Sequence, residues 1–230
     1  MKYEKDILES KFISRPNRFN AIVNLNGEEI TVHVPNTGRC KELLKEGVTV
    51  LLRKEDNENR KTKYDLVAVY KGDKLISIDS QIPNKVVLEA LKNKRIDKLK
   101  EYPIILKEKT FGNSRFDFKL GKENGDEYYL EVKGVTLEEG GKAAFPDAPT
   151  ERGRKHLLEL IEVKNSGRGA GVLFLLQMEG MKSFKPNDER DKKFGEALRE
   201  ARDAGVDIFV YECLVERDGI TLTKEVKTSF

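Results

Sequence analysis

The chain has 230 residues, 38% of them apolar, and its 43 Lys and Arg nearly balance 40 Asp and Glu to leave a net charge of +3. That length fits two small domains, and the charge permits a nucleic-acid partner without demonstrating one. The two cysteines, Cys40 and Cys213, lack CxxC spacing, and His33 and His156 are the only histidines. Neither a disulfide framework nor a zinc site is therefore supported, two histidines argue against an imidazole-rich metal site, and any metal is expected to be held by oxygen, which points to Mg²⁺ or Mn²⁺.

The N-terminus, MKYEKDILES, carries charge throughout, and the longest apolar run, residues 172–176, is too short to cross a bilayer. A cytoplasmic protein without a membrane partner or small-molecule cofactor is expected. Residues 7–79 show short β-branched runs split by turn chemistry: KFIS, AIVNLNGEEITVHV around Asn26-Gly27, VTVLL, and YDLVAVYKGDKLISI around Gly72-Asp73. Asn-Gly between alternating runs predicts a hairpin. A short helix is predicted at residues 39–45, ended by Gly47. About five strands and one small helix indicate a small barrel of the OB type, and a sandwich would read similarly.

Beyond Ile82-Pro83 the period changes: Val86, Val87, Ala90 and Leu91 fall at helical spacing. The domain boundary is placed near residue 80, giving domains 1–80 and 81–230. Strands are predicted at residues 104–109, 115–120, 128–135, 171–178 and 206–212, with helices at 150–164 and 188–204. A helix, a three-stranded meander, then helix, strand, helix and strand make an α/β domain with a mixed sheet.

Strand side chains alternate, so in SRFDFKL Asp117 shares a face with Arg115 and Lys119, and in YYLEVKGV Glu131 shares one with Tyr129 and Lys133. If these strands pair, Asp117 and Glu131 form an oxygen-rich pocket for a hard divalent ion, with Lys133 placed to orient an attacking water and offset phosphate charge. Neighbouring carboxylates require paired residue numbers with an even sum. A two-residue turn at Asn124-Gly125 gives an odd sum, so an odd-length loop or a glycine bulge at Gly125 is predicted instead. E-V-K equally fits the solvated face of an amphipathic strand.

Arg15, Arg18 and Arg39 lie in or beside Asn/Pro loops near Phe12 and Phe19, a composition that suits phosphates and unpaired bases. It also suits a barrel core with solvated arginines. Thr150 is the expected cap of the helix TERGRKHLLELIEV, whose stripe is Leu157, Leu160 and Ile161. Arg152, Arg154 and Lys155 then sit at its phosphate-attracting start. His156 fits that cluster or a satisfied structural position. KFGEALREARDAG reads as scaffold, with Phe194, Ala197, Leu198 and Ala201 forming its core face.

Asp117 followed by Glu131-Val132-Lys133 resembles the core motif of the PD-(D/E)XK nuclease superfamily. The segments SRPNRF, HVPNTGR, SRFDF, LEVKGVTL, FPDAPTERGRKHLLEL and FKPNDERD together resemble the sugar fermentation stimulation protein A family from about residue 10 to residue 210. The resemblance implies an N-terminal OB-like domain followed by a restriction-endonuclease-like αβββαβ domain, in DNA-binding proteins with a role in regulating sugar metabolism. It carries Asp117, Glu131 and Lys133 over as a nuclease triad, with Asp117 and Glu131 as metal ligands, and offers Glu89 as the acidic residue of the first helix. The leading expectation is a DNA-binding, Mg²⁺-dependent nuclease. A non-catalytic DNA-binding regulator and an RNA-directed nuclease are the rivals.

Overall fold

The computed structural model describes residues 1–230, which divide into two compact units. The first comprises residues 1–82 with 177–179 and 213–221; the second comprises residues 83–176, 180–212 and 222–230.

In the first unit, β1 (Ile7–Ser14), β2 (Asn20–Leu25), β3 (Glu28–His33), β4 (Thr49–Lys54), β5 (Tyr64–Lys71) and β6 (Lys74–Ser77) follow one another in the order β3-β2-β1-β4-β5-β6. A parallel bridge from His33 to Asp65 joins β3 to β5 and closes the first five strands into the expected OB barrel. Alternation aims Ala21, Val23 and Val32 inward, while Leu51, Leu52, Leu66 and Val67 complete an almost fully buried core. Leu25 pairs with Glu28, so Asn26-Gly27 is the whole β2–β3 loop. Both residues take positive φ, 54° and 92°, the type I′ geometry that Asn-Gly favours.

The helix predicted at residues 39–45 is a single turn. The amides of Leu43 and Leu44 both donate to the Cys40 carbonyl, at 3.1 and 2.8 Å, and Cys40 itself has φ 48°, outside the right-handed helical region. Burial of Leu43 and Leu44 organises this segment in place of helical periodicity.

The chain continues with α1 (Ile82–Lys92), which belongs to the second unit from Pro83 on, and a 3₁₀ turn (Asp97–Leu99), followed by β7 (Ile104–Phe111), β8 (Ser114–Gly121) and β9 (Glu127–Val135). After β10 (Glu138–Glu139) and β11 (Lys142–Phe145) come α2 (Glu151–Asn165), β12 (Gly169–Leu176), β13 (Ser183–Pro186), α3 (Lys192–Asp203), β14 (Asp207–Glu216) and β15 (Gly219–Glu225); of the last two strands and their turn, residues 213–221 belong to the first unit. The main sheet runs β15-β14-β12-β9-β8-β7: β7, β8 and β9 form the predicted antiparallel meander, and β9, β12 and β14 are parallel. The mixed α/β sheet is thus as expected. A second, three-stranded sheet, β10-β11-β13, was not predicted. Its strands are short, and the β11–β13 pairing is parallel between segments about 40 residues apart, so no local period announces it.

Both long helices start at side-chain caps. Thr150 accepts from the Gly153 amide at 3.0 Å, as predicted, and Asp191 accepts from Phe194 at 3.0 Å. The Asp191 cap moves the start of α3 from the predicted residue 188 to Lys192. Leu157, Leu160 and Val163 of α2 and Phe194, Ala197 and Leu198 of α3 are buried, and the two helices pack against each other.

Candidate active site

The site is built at the point where β8 and β9 part. Their ladder pairs Phe118 with Leu130, Lys119 with Tyr129, Leu120 with Tyr128 and Gly121 with Glu127, so every pair has the even sum that the site requires. Three residues, Glu123, Asn124 and Gly125, turn the chain. The loop is closed by a 2.9 Å hydrogen bond from the Lys122 amide to the Asp126 carbonyl, and Gly125 has φ 91°. This is the odd-length loop, with its glycine in the left-handed region. The ladder ends one step before Asp117 and Glu131. There the Val132 amide donates to Asp117 Oδ2 at 2.8 Å.

The two carboxylates have different surroundings. Asp117 Oδ1 accepts from the Asn84 side chain at 2.7 Å. Burial, and then the charge of Glu131, raise the Asp117 pKa from its ordinary value, against the hydrogen bonds from Val132 and Asn84 and the charge of Lys133. Glu131, only 4% exposed, accepts at Oε1 from Lys133 Nζ at 2.6 Å and from His156 Nδ1 at 2.5 Å. Burial alone would raise its pKa, but the His156 hydrogen bond and the Lys133 charge outweigh it and hold the carboxyl below its ordinary value. The two environments thus push neighbouring carboxyls in opposite directions.

Glu131 Oε2 is buried without any hydrogen-bond partner. A buried carboxylate oxygen left in this way carries a desolvation cost, and a hard cation is a partner of the right chemistry for it. Asp117 and Glu131 are therefore the residues that could hold a divalent metal. No group of three His, Cys, Asp or Glu side chains is assembled for one. A two-carboxylate donor set suits Mg²⁺, which keeps waters and substrate phosphate oxygens in its remaining positions.

Two contributors escaped sequence reasoning. His156, one of two alternatives from its position alone, is buried and lies edge-on to Phe116 at 5.9 Å between ring centroids. Since a carboxylate only accepts, Nδ1 carries the proton toward Glu131. On α1 the side chain that reaches Asp117 is Asn84, whereas Glu89, five residues on, is half-buried. Nothing in the local pattern singles out Asn84, an exposed residue just after Ile82-Pro83.

The cations predicted on α2 share the first turns of the helix with His156. Arg152 and Arg154 are exposed, and Lys155 donates to the Asn113 carbonyl at 3.2 Å. On the barrel, Arg18 and Arg39 are exposed. Arg15 is spent on its own backbone: Nη1 donates to the carbonyls of Gly38 and Arg39, and Nη2 to those of Arg18 and Asn36, all at 2.7 to 2.8 Å. It shapes the loop and offers no free Nη hydrogen to phosphate.

Residues 13–78 match the family model described as the SfsA N-terminal OB domain, and residues 81–219 match the Sugar fermentation stimulation protein RE domain. The chain belongs to the sugar fermentation stimulation protein family. It is 67% identical over 226 residues to a sugar fermentation stimulation protein homolog of Clostridium botulinum strain Loch Maree, with 98% of each chain covered. A homolog from Clostridium tetani is 67% identical over 227 residues, with 99% of each covered. Among solved structures, that of Pyrococcus furiosus SfsA in complex with Ca²⁺ superimposes with a TM-score of 0.89 over 100% of both chains, at 29% identity. The OB barrel followed by a mixed-sheet domain is thus the architecture shared with the family's OB and RE domain models.

Proposed function

We propose that this family member binds DNA and hydrolyses its phosphodiester bonds with Mg²⁺ or Mn²⁺ held by Asp117 and Glu131, in a cytoplasmic role linked to regulation of sugar metabolism. The observation that carries the reading is the Glu131 carboxylate. One oxygen is fixed by Lys133 and His156, the other is buried with no hydrogen-bond partner, and the charge of the group is felt by Asp117. The Ca²⁺ complex of the Pyrococcus furiosus relative supports an oxygen-rich divalent site in the same fold. A bound divalent ion supplies Lewis-acid polarisation of the phosphate and lowers the pKa of water.

The protein's own residues do the rest. Asn84 and the Val132 amide orient Asp117, and His156 fixes Glu131. Lys133 offsets charge that develops on the phosphate oxygens and orients the attacking water. Exposed Arg152 and Arg154, at the start of α2, bind flanking phosphates.

One observation favours a non-catalytic DNA-binding regulator: both carboxylates already take hydrogen bonds from protein donors, and no third acidic ligand joins them. A cleavage assay separates the two. Wild type, Asp117→Ala and Lys133→Ala are incubated with single- and double-stranded DNA and RNA in Mg²⁺, Mn²⁺ or EDTA. Cleavage is expected to vanish in EDTA and in Asp117→Ala, and to fall by roughly 10²- to 10³-fold in Lys133→Ala. Binding by purified wild type without any metal-dependent cleavage leaves the regulator.

A further inference from the structure

The two phenylalanines near the β1–β2 loop have opposite fates. Phe12 is 4% exposed and belongs to the barrel core, whereas Phe19 is 58% exposed, the one aromatic residue among the exposed large hydrophobics. An exposed ring presents an open face on which a base can stack. The turn that carries it is held firmly. Asn17 Oδ1 accepts from the amides of Phe19 and Asn20 at 2.8 and 2.9 Å, and the four Arg15 hydrogen bonds tie Arg18 to the 36–39 loop. Little ordering entropy remains to be lost when the ring is covered.

Arg18 of this turn lines a cleft of about 520 Å³ whose walls include Ile13 and Leu44, with Arg39 and Lys41 as further cations beside the already engaged Arg15, and Glu46 as its carboxylate. No ion pair engages Arg18, Arg39 or Lys41. Phe19 directly follows Arg18, a residue of the cleft wall, and an exposed ring that continues from a cleft with unpaired cations and an apolar wall is complementary to a chain that alternates bases with phosphates. In a duplex both faces of each base are already stacked, so the ring selects an unpaired base.

We infer that this face of the barrel binds a single-stranded nucleic acid, with Phe19 stacked on one unpaired base and Arg18, Arg39 and Lys41 on the flanking phosphates. This deepens the nucleic-acid reading above, on which it rests, and extends it to a site separate from Asp117 and Glu131.

The chain contains no tryptophan, so Phe19→Trp introduces a unique indole. The full-length variant is titrated in EDTA, so that no cleavage intervenes, with oligo(dT), oligo(U), an abasic oligonucleotide of equal charge and a duplex, following indole fluorescence and probe anisotropy together. Quenching by oligo(dT) or oligo(U), but not by the abasic strand or the duplex, is expected. Phe19→Ala should weaken single-strand binding by roughly 5- to 100-fold. Circular dichroism of each variant checks folding. Anisotropy that reports binding without quenching, equal quenching by the abasic strand or the duplex, or unchanged affinity in Phe19→Ala overturns the stacking inference and leaves nucleic-acid binding standing. No binding of any probe by wild type overturns both.

Discussion

At the scale of single residues, Glu131 is the centre of the proposed site, and its Oε1 is held by His156 and Lys133. The imidazole donates to Glu131 Oε1 and rests against Phe116, so its ring has little freedom of its own. Loss of a residue that positions a metal ligand costs about 10- to 100-fold in metal affinity. His156→Ala is expected to weaken Mg²⁺ binding by that amount in calorimetry. His156→Asn, whose amide nitrogen can replace Nδ1, should recover part of the loss. If the two variants bind Mg²⁺ equally well, the histidine has no positioning role. The triad role of Asp117, Glu131 and Lys133 came from the family resemblance, whereas their shared strand face was legible in the sequence because strand alternation is a local rule. His156 and Asn84 were not, because each reaches its carboxylate across at least 25 residues of chain, through helix packing that no periodicity encodes.

At the scale of elements, two devices hold the strands in register. The β8–β9 loop depends on Gly125 at φ 91°. Gly125→Ala is therefore expected to cost about 1 to 2 kcal/mol in urea unfolding, since a side chain in the left-handed region is strained. Retention of full stability would show that the loop does not rely on it. In the barrel, Asp65 on β5 pairs with His33 at the closing bridge. It also takes Arg53 Nη2 at 3.0 Å and a short contact from Arg60. Burial would raise the Asp65 pKa, but hydrogen bonds from Arg60 and His33 bring it below the ordinary value. A carboxyl with a depressed folded pKa contributes stability in full above its unfolded value, about 3.9, and loses it as pH falls through the lower folded value. Asp65→Asn should lose about 3 kcal/mol at neutral pH and flatten the acid limb of the stability curve, measured by thermal unfolding from pH 2 to pH 7. An unchanged acid limb would assign the acid sensitivity to other carboxylates. The β2–β3 hairpin was readable from Asn26-Gly27, whereas closure of the barrel through His33 and Asp65 was not, because it joins residues with no shared local signal.

At the scale of the whole molecule, a net charge of +3 says little about where phosphate binds. No helix of the protein is long and apolar enough to cross a membrane. Each cation that meets a phosphate releases a counterion, so affinity for DNA should fall steeply between 50 and 200 mM salt, and the double change Arg152→Ala, Arg154→Ala should reduce the log–log slope by about 2. A flat salt response, measured by anisotropy in EDTA, would remove the phosphate contacts assigned to α2. The amino-acid sequence by itself determined a run of short strands followed by an α/β domain and the strand face that Asp117 and Glu131 occupy, because these follow from alternation, turn chemistry and helical period within short windows. The odd-length loop was a demand of pairing the two carboxylates on one face. Only the tertiary structure decided that Arg15 braces a loop, that Phe12 is buried while Phe19 is exposed, and that Asn84 and His156 complete the carboxylate pair. Those outcomes depend on which distant segments pack together, and packing is a property of the folded chain as a whole.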